Sequence, residues 1–258
     1  MNPKIINLCS ITISIVSHKQ IYLVGELLLD LARNYGETKF DVILTLNYPE
    51  NAPAFLDQLP YPVFLLKNKK PLGFGENHNR AFRNSKTPFF CVINPDIRLA
   101  SDIFPALMGE LEDLSCEVIV PLIVDGEGSI EDSARKFPTP LKILCKVIGR
   151  CREPDYKIGT TLLKPDWVGG MFMMFRRDTY AKLGGFDQKF YLYYEDVDLC
   201  ARMRLMGLQV VMNPNVRATH LARRSSHSSV AYSLMHIRSM ARFFTSLVFA
   251  KVMLRRER

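Results

Sequence analysis

Short apolar runs alternate with amphipathic stretches through the first half of the chain. Residues 11–16 form a compact β-branched run, and residues 21–33 place Leu23, Leu27 and Leu31 on one helical face. Residues 40–46, 61–66 and 89–93 are further apolar runs of strand length. A polar helix at 76–84 precedes the last of these, and a helix at 103–114 leads to a strand at 116–120. Strands that alternate with helices, several of them continuously apolar, predict a mostly parallel sheet covered on both faces. The second half reads differently. Residues 121–165 are rich in turn signals, including Asp125-Gly126, Pro138 and Pro140. Residues 167–175 read as strand. A helix at 196–206 carries Leu199, Met203 and Met206 on one side, stops at Gly207, and spaces Asp198 to pair with Arg202.

Composition narrows the picture a little. The chain has 258 residues, 48% hydrophobic and 23% charged, ordinary values for one large α/β domain. The net charge of +8 suits phosphate-rich ligands, anionic lipid or nucleic acid without choosing among them. Basic residues are not interleaved with aromatic ones outside the C-terminal tail, so a nucleic-acid partner is not expected. Six scattered cysteines with no C-x-x-C pair suggest buried thiols in a reducing cytoplasm, not a zinc site or a disulfide framework. The apolar stretch 5–16 is interrupted by Asn7, Ser10, Thr12 and Ser14 and reads as a strand, not a leader.

Two constellations carry candidate chemistry. The apolar strand at 89–93 stops at Asn94-Pro95-Asp96. Pro95 cannot donate to a ladder, so Asn94 and Asp96 fall at the carboxyl end of a central strand, where open α/β sheets bind ligands. A carboxylate with a second oxygen nearby suits a hard divalent cation, and an ordinary Asx turn is the competing reading. Further on, aromatic residues between Phe186 and Tyr194 run into Glu195-Asp196-Val197-Asp198. Acids favour a first helical turn, but aromatic rings beside a carboxylate also suit a sugar site with a general base. Gly73-Phe74-Gly75 allows close backbone approach to a ligand, with Asn79 one turn on.

Together these stretches resemble the inverting family-2 glycosyltransferases of GT-A fold, rhamnosyltransferase-like members in particular. The matching pieces run in order: Ile15-Val16-Ser17-His18, Asn68, Gly73 to Gly75, Asn79, Asn94-Pro95-Asp96 and Arg135-Lys136-Phe137-Pro138. Trp167-Val168-Gly169-Gly170-Met171, Gly184-Gly185-Phe186-Asp187, the acidic run at 194–200, Arg202, Gly207, Pro214 and His220 complete them. The resemblance implies an α/β GT-A (nucleotide-diphospho-sugar transferase) fold, a mostly parallel central sheet flanked by helices, with a C-terminal helical appendage. It implies a glycosyltransferase domain at 1–226 and a basic amphipathic helix at 227–258. Asp196 would be the general base, with Glu195 as runner-up. Asp96 and His220 would hold Mg²⁺ or Mn²⁺. Ser17, His18, Asn68, Gly73, Gly75, Asn79, Asn94 and Arg223 would bind the donor, and Trp167, Gly169 and Gly170 would shape the sugar and acceptor pocket.

The implied reaction moves a sugar, rhamnose at the family level, from a dTDP- or UDP-sugar to a glycan or lipid-linked acceptor in cell-envelope synthesis. A non-catalytic sugar-nucleotide or glycan-binding relative is the alternative, and the intact Glu195, Asp196 and His220 argue against it. The chain departs from the family's pattern on the nucleotide-base side. Thr45-Leu46-Asn47 stands where relatives often carry a base-contacting aspartate, and Ser17-His18 where many have Tyr-Asn. From His236 onward Phe243, Phe244, Leu247, Val248 and Met253 are flanked by arginines and lysine. That stretch is too short to span a bilayer and suits a peripheral helix on the inner face of the cytoplasmic membrane, or one that packs on the domain or builds a homodimer.

Overall fold

The computed structural model describes residues 10–36, 38–113, 116–150, 153–221 and 230–256. The expected order appears: β1 (Ile11–Ser17), α1 (Ile21–Arg33), β2 (Phe40–Leu46), β3 (Val63–Lys67), α2 (Phe74–Asn84), β4 (Phe89–Ile93), β5 (Ile97–Arg98), α3 (Phe104–Asp113) and β6 (Val118–Val124). Then come β7 (Ala134–Arg135), α4 (Pro140–Val147), β8 (Trp167–Val168), β9 (Phe172–Arg176), α5 (Arg177–Leu183), α6 (Glu195–Leu205), β10 (Val210–His220), α7 (Val230–Phe244) and α8 (Leu247–Arg256). The large sheet runs β3-β2-β1-β4-β9-β6-β10-β5. β1 to β4 pair in parallel, as do β6 and β10, while β9 runs antiparallel between the two groups.

The continuous apolar strands are explained by burial on both faces. In β4, Cys91 and Ile93 join the core shared with α1 and α3, whereas Phe90 and Val92 join the core under α5, α6 and the C-terminal helices. β10, not read from the sequence, runs past Pro214 because the register shifts between Asn213 and Arg217, which accommodates the proline inside the strand. The turn-rich stretch after 121 departs from its reading in that β6 continues through Pro121 to Val124 and α4 and β7 form within it. Cys91, Cys116 and Cys200 are buried and free as expected, but Cys145 is disulfide-bonded, which the scattered spacing did not indicate.

The tail is not one helix. Ser246 ends α7 and caps α8, its hydroxyl donating to the Phe243 carbonyl and accepting from the Phe249 N–H. Phe243 and Val252 are buried in the second core, so both helices pack on the domain.

Candidate active site

The Asn94 turn sits where the strand pattern placed it. The Asn94 N–H donates to the Met171 carbonyl, and the Ile97 N–H closes the turn onto the Asn94 carbonyl. β5 then pairs antiparallel with the end of β10, with Ile97 opposite His220. That pairing brings together residues 124 positions apart in sequence: His220 Nε2 lies 3.4 Å from Asp96 Oδ2. On its other side His220 Nδ1 lies 2.9 Å from Glu131 Oε2. Burial works against charge on His220, but the hydrogen bonds and charges of Asp96 and then Glu131 outweigh it and lift its pKa to about 9. Glu131 escaped the sequence reading because it sits in a turn-rich stretch with no local motif.

These residues fit a divalent ion on one specific ground. Asp96 Oδ1 is buried and has no hydrogen-bond partner, an acceptor left free beside an imidazole whose far nitrogen is already oriented by Glu131. Two protein ligands are a small set, and among the described residues no group of three or more His, Cys, Asp or Glu gathers as a metal cluster. Mg²⁺ and Mn²⁺ sites of this size are completed by phosphate and water.

Asp96 and Asn94 line a cavity of about 490 Å³ that reaches His18, Asn47 and Tyr48 at its other end. Burial and then Lys19 lower the pKa of His18 and keep it neutral. Asn47 Nδ2 lies 2.8 Å from His18 Nδ1, so that nitrogen accepts and Nε2 carries the proton. Asn47 also accepts from Asn68 Nδ2 and the Leu72 N–H and donates to the Leu72 carbonyl.

Several residues assigned to the donor have other partners. The Ser17 hydroxyl donates to Glu50, whose carboxylate also receives the Lys19 and Ile21 N–H groups. Asn68 is buried between Asn47, Asn77 and Arg80. Asn79 donates to the Phe186 carbonyl and accepts from the Tyr180 hydroxyl and the Phe186 N–H, so its amide is spent on the fold. Gly73 and Gly75 are needed for close approach, but by another segment of chain. A Cβ at Gly73 would lie 2.7 Å from the Tyr191 carbonyl oxygen, and one at Gly75 would lie 2.4 Å from Phe186 Cβ. Arg223 lies outside the described residues.

A second cavity, of about 520 Å³, holds Trp167, Glu195 and Asp196, with Arg135, Lys136 and Lys142 in its wall. Both cavities share Tyr193. Tyr193 and Tyr194 adopt φ of 68° and 65°, a left-handed conformation that costs about 1–3 kcal/mol per residue. Ring contacts hold the turn: His236 of α7 packs edge-on against both tyrosines, and Phe243 packs against Tyr194. The turn starts α6 so that Asp196 faces the cavity. Asp196 Oδ2 accepts the Gly170 N–H at 3.0 Å and Oδ1 the Val197 N–H at 2.8 Å. Gly170 thus acts through its backbone, while Gly169 packs against the Met171 side chain. Glu195 is buried and its Oε2 has no partner. Burial, and then the charge of Asp196, push its pKa well above the carboxylate range. Burial raises Asp196 too, against the pull of its backbone donors and Arg135. Both carboxyl groups are thus raised, and they titrate as a pair.

A model described as Glycosyl transferase family 2 matches residues 12–206. Rhamnosyltransferase WbbL of Escherichia coli (strain K12) is 28% identical over 184 residues, covering 66% of this chain and 69% of that protein. N-acetylglucosaminyl-diphospho-decaprenol L-rhamnosyltransferase of Mycobacterium tuberculosis (strain ATCC 25618 / H37Rv) is 28% identical over 182 residues, covering 62% of this chain. The matched part spans 59% of the length of that mycobacterial relative. GalNAc-T7, solved with UDP, GalNAc and Mn²⁺, superposes with a TM-score of 0.62 at 16% identity, covering 84% of this chain and 44% of its own. The Pyrobaculum calidifontis mannosyltransferase PcManGT, solved with GDP-Man and Mn²⁺, superposes with 0.60 at 14% identity, covering 92% and 64%. The fold is GT-A, with a mixed, mostly parallel sheet flanked by helices.

Proposed function

This chain belongs to glycosyl transferase family 2, and from that premise we propose that it transfers rhamnose, with inversion, from a dTDP- or UDP-sugar to a lipid-linked glycan acceptor of the cell envelope. The observation that carries the reaction is Asp196: a carboxylate fixed by two backbone N–H groups in a cavity that meets the Asp96 cavity at Tyr193. The names of the bacterial relatives support the sugar and the acceptor class.

In this reading the nucleotide lies between His18 and Asn94, with its diphosphate toward Asp96 and His220. A divalent ion, Mg²⁺ or Mn²⁺, held by Asp96 and His220 would offset the charge of the leaving diphosphate. The acceptor occupies the Trp167 cavity. Asp196 takes the proton of its hydroxyl. The oxygen forms a bond to the anomeric carbon as the bond to the diphosphate oxygen breaks on the opposite side, so configuration inverts. Glu195, buried behind Asp196, resists ionising beside it. Residues 1–226 carry both substrate sites apart from one wall, which α7 supplies through Tyr232, Met235 and His236. Contact with the inner face of the cytoplasmic membrane would be through the basic C-terminal helices; among the described residues no helix is long and apolar enough to cross a membrane.

The test is Asp196→Asn. Transfer from the nucleotide sugar is expected to fall by about 10²–10⁴-fold, the usual worth of a general base, while donor binding by calorimetry persists. Near-normal turnover would sink the assignment.

A further inference from the structure

A third concavity, of about 430 Å³, lies between α7 and the segment around Lys189 and backs onto the nucleotide cavity, with which it shares Tyr191, Leu192 and Met235. Lys189, Arg238 and Arg242 converge on it, and no carboxylate lines it. Among the described residues none of the three cations has an ion pair. The wall is fixed, because the Ser239 hydroxyl donates to the Leu192 carbonyl at 2.8 Å and ties α7 to that segment. Three cationic side chains lining one hollow that no carboxylate enters favour an anion there. Arginines four residues apart on one helix face suit phosphate oxygens in particular.

The outward face of α7 indicates where that phosphate comes from. Helical periodicity places positions 230, 234, 237 and 241 on one face. Val230, Leu234 and Ile237 there are 75%, 61% and 54% exposed. Arg238 and Arg242 occupy the adjoining face, and Ser239 and Phe243 the buried one. A surface helix with an aliphatic strip beside a cationic row is built for a lipid–water interface. His236 of the same helix lines the cavity that holds Asp196, so a bilayer against the strip lies at the rim of the acceptor site.

We propose that this concavity binds the phosphate of an anionic lipid headgroup, with Val230, Leu234 and Ile237 entering the bilayer interface beside it. The site rests on the geometry of α7, and its purpose rests on the lipid-linked reading of the acceptor.

The experiment is co-sedimentation of the full chain with phosphatidylcholine vesicles, with and without phosphatidylglycerol. The wild type is expected to bind the anionic vesicles and to bind neutral ones at least tenfold more weakly. Arg238→Gln with Arg242→Gln should weaken anionic-vesicle binding about thirtyfold, roughly fivefold per cation at a membrane surface, with an unchanged melting curve. Leu234→Ser with Ile237→Ser should weaken it as well, which a site for free phosphate alone would not show. Equal binding to both vesicle types, or wild-type binding by the arginine variant, overturns the proposal. So does stabilisation of the wild type by inorganic phosphate, lost in the arginine variant, without any vesicle binding. Transfer to a soluble acceptor analogue, run in parallel, should be the same in wild type and arginine variant. Anionic-vesicle binding by a chain that transfers nothing upholds the site and counts against the activity.

Discussion

Glu195 and Asp196 stand side by side in sequence, yet the fold gives them different surroundings. Asp196 has two backbone donors and reaches the cavity, whereas Glu195 is buried with an unpartnered oxygen. The raised pKa of Glu195 has a stability consequence. Below its unfolded value of 4.5 the group is protonated in both states and nothing is lost. Above it the unfolded chain ionises freely while the folded one resists, so stability is lost as pH rises toward the folded pKa. Glu195→Gln removes that loss. Its melting temperature should exceed that of the wild type at pH 8, and the difference should shrink toward pH 4 in a thermal melt. The same variant should keep transfer activity, because the proposed reaction uses Asp196 as the base. Abolished transfer would exchange the two roles. The wild-type rate should fall on its acid side above the ordinary aspartate range, since Asp196 is also raised.

At the scale of elements, the informative helix is α7. Its apolar and basic residues suit either a peripheral helix or one that packs on the domain, and its buried face is wedged between the Tyr193-Tyr194 turn and the core. His236 and Phe243 press on Tyr193 and Tyr194, which sit in a left-handed conformation that needs outside support. Phe243→Ala should lower the unfolding free energy by about 3–5 kcal/mol, the usual cost of emptying a buried phenylalanine site, as measured by urea titration. It should also reduce kcat more than donor affinity, because the turn that aims Asp196 loses its brace. A variant with full stability and activity would show that α7 is only an appendage. Elsewhere Arg98 anchors α1 by reaching buried Asp30 at 2.6 Å and Glu26 at 2.7 Å. No short-range pattern announces such a link, because its partners lie about 70 residues apart.

At the scale of the molecule, the metal and the nucleotide are expected to bind as a unit where β5 pairs with the end of β10. Mn²⁺ with a matching nucleotide sugar should raise the melting temperature, since a ligand at a hundred times its dissociation constant adds about 2.7 kcal/mol. Asp96→Asn should lose the Mn²⁺-dependent part of that shift and keep a smaller, metal-independent part from contacts near His18. An unchanged shift in Asp96→Asn would remove that residue from the metal site.

Periodicity and motif order by themselves determined the run of strands and helices in the first half, the turn at Asn94, the acidic helix start and the family. These are local properties: an apolar run buried on both sheet faces, or a proline that ends a ladder, is visible within a few residues. Only the tertiary structure decided what the candidate side chains touch. It brought Glu131 to His220, spent Asn79 and Ser17 on internal partners, and assigned Gly73 and Gly75 to chain packing. It also made α7 of the basic tail a wall of both cavities. Each of these depends on pairing between distant segments, above all β5 with β10 and α7 with the turn at Tyr193, and no spacing within one segment encodes such a meeting.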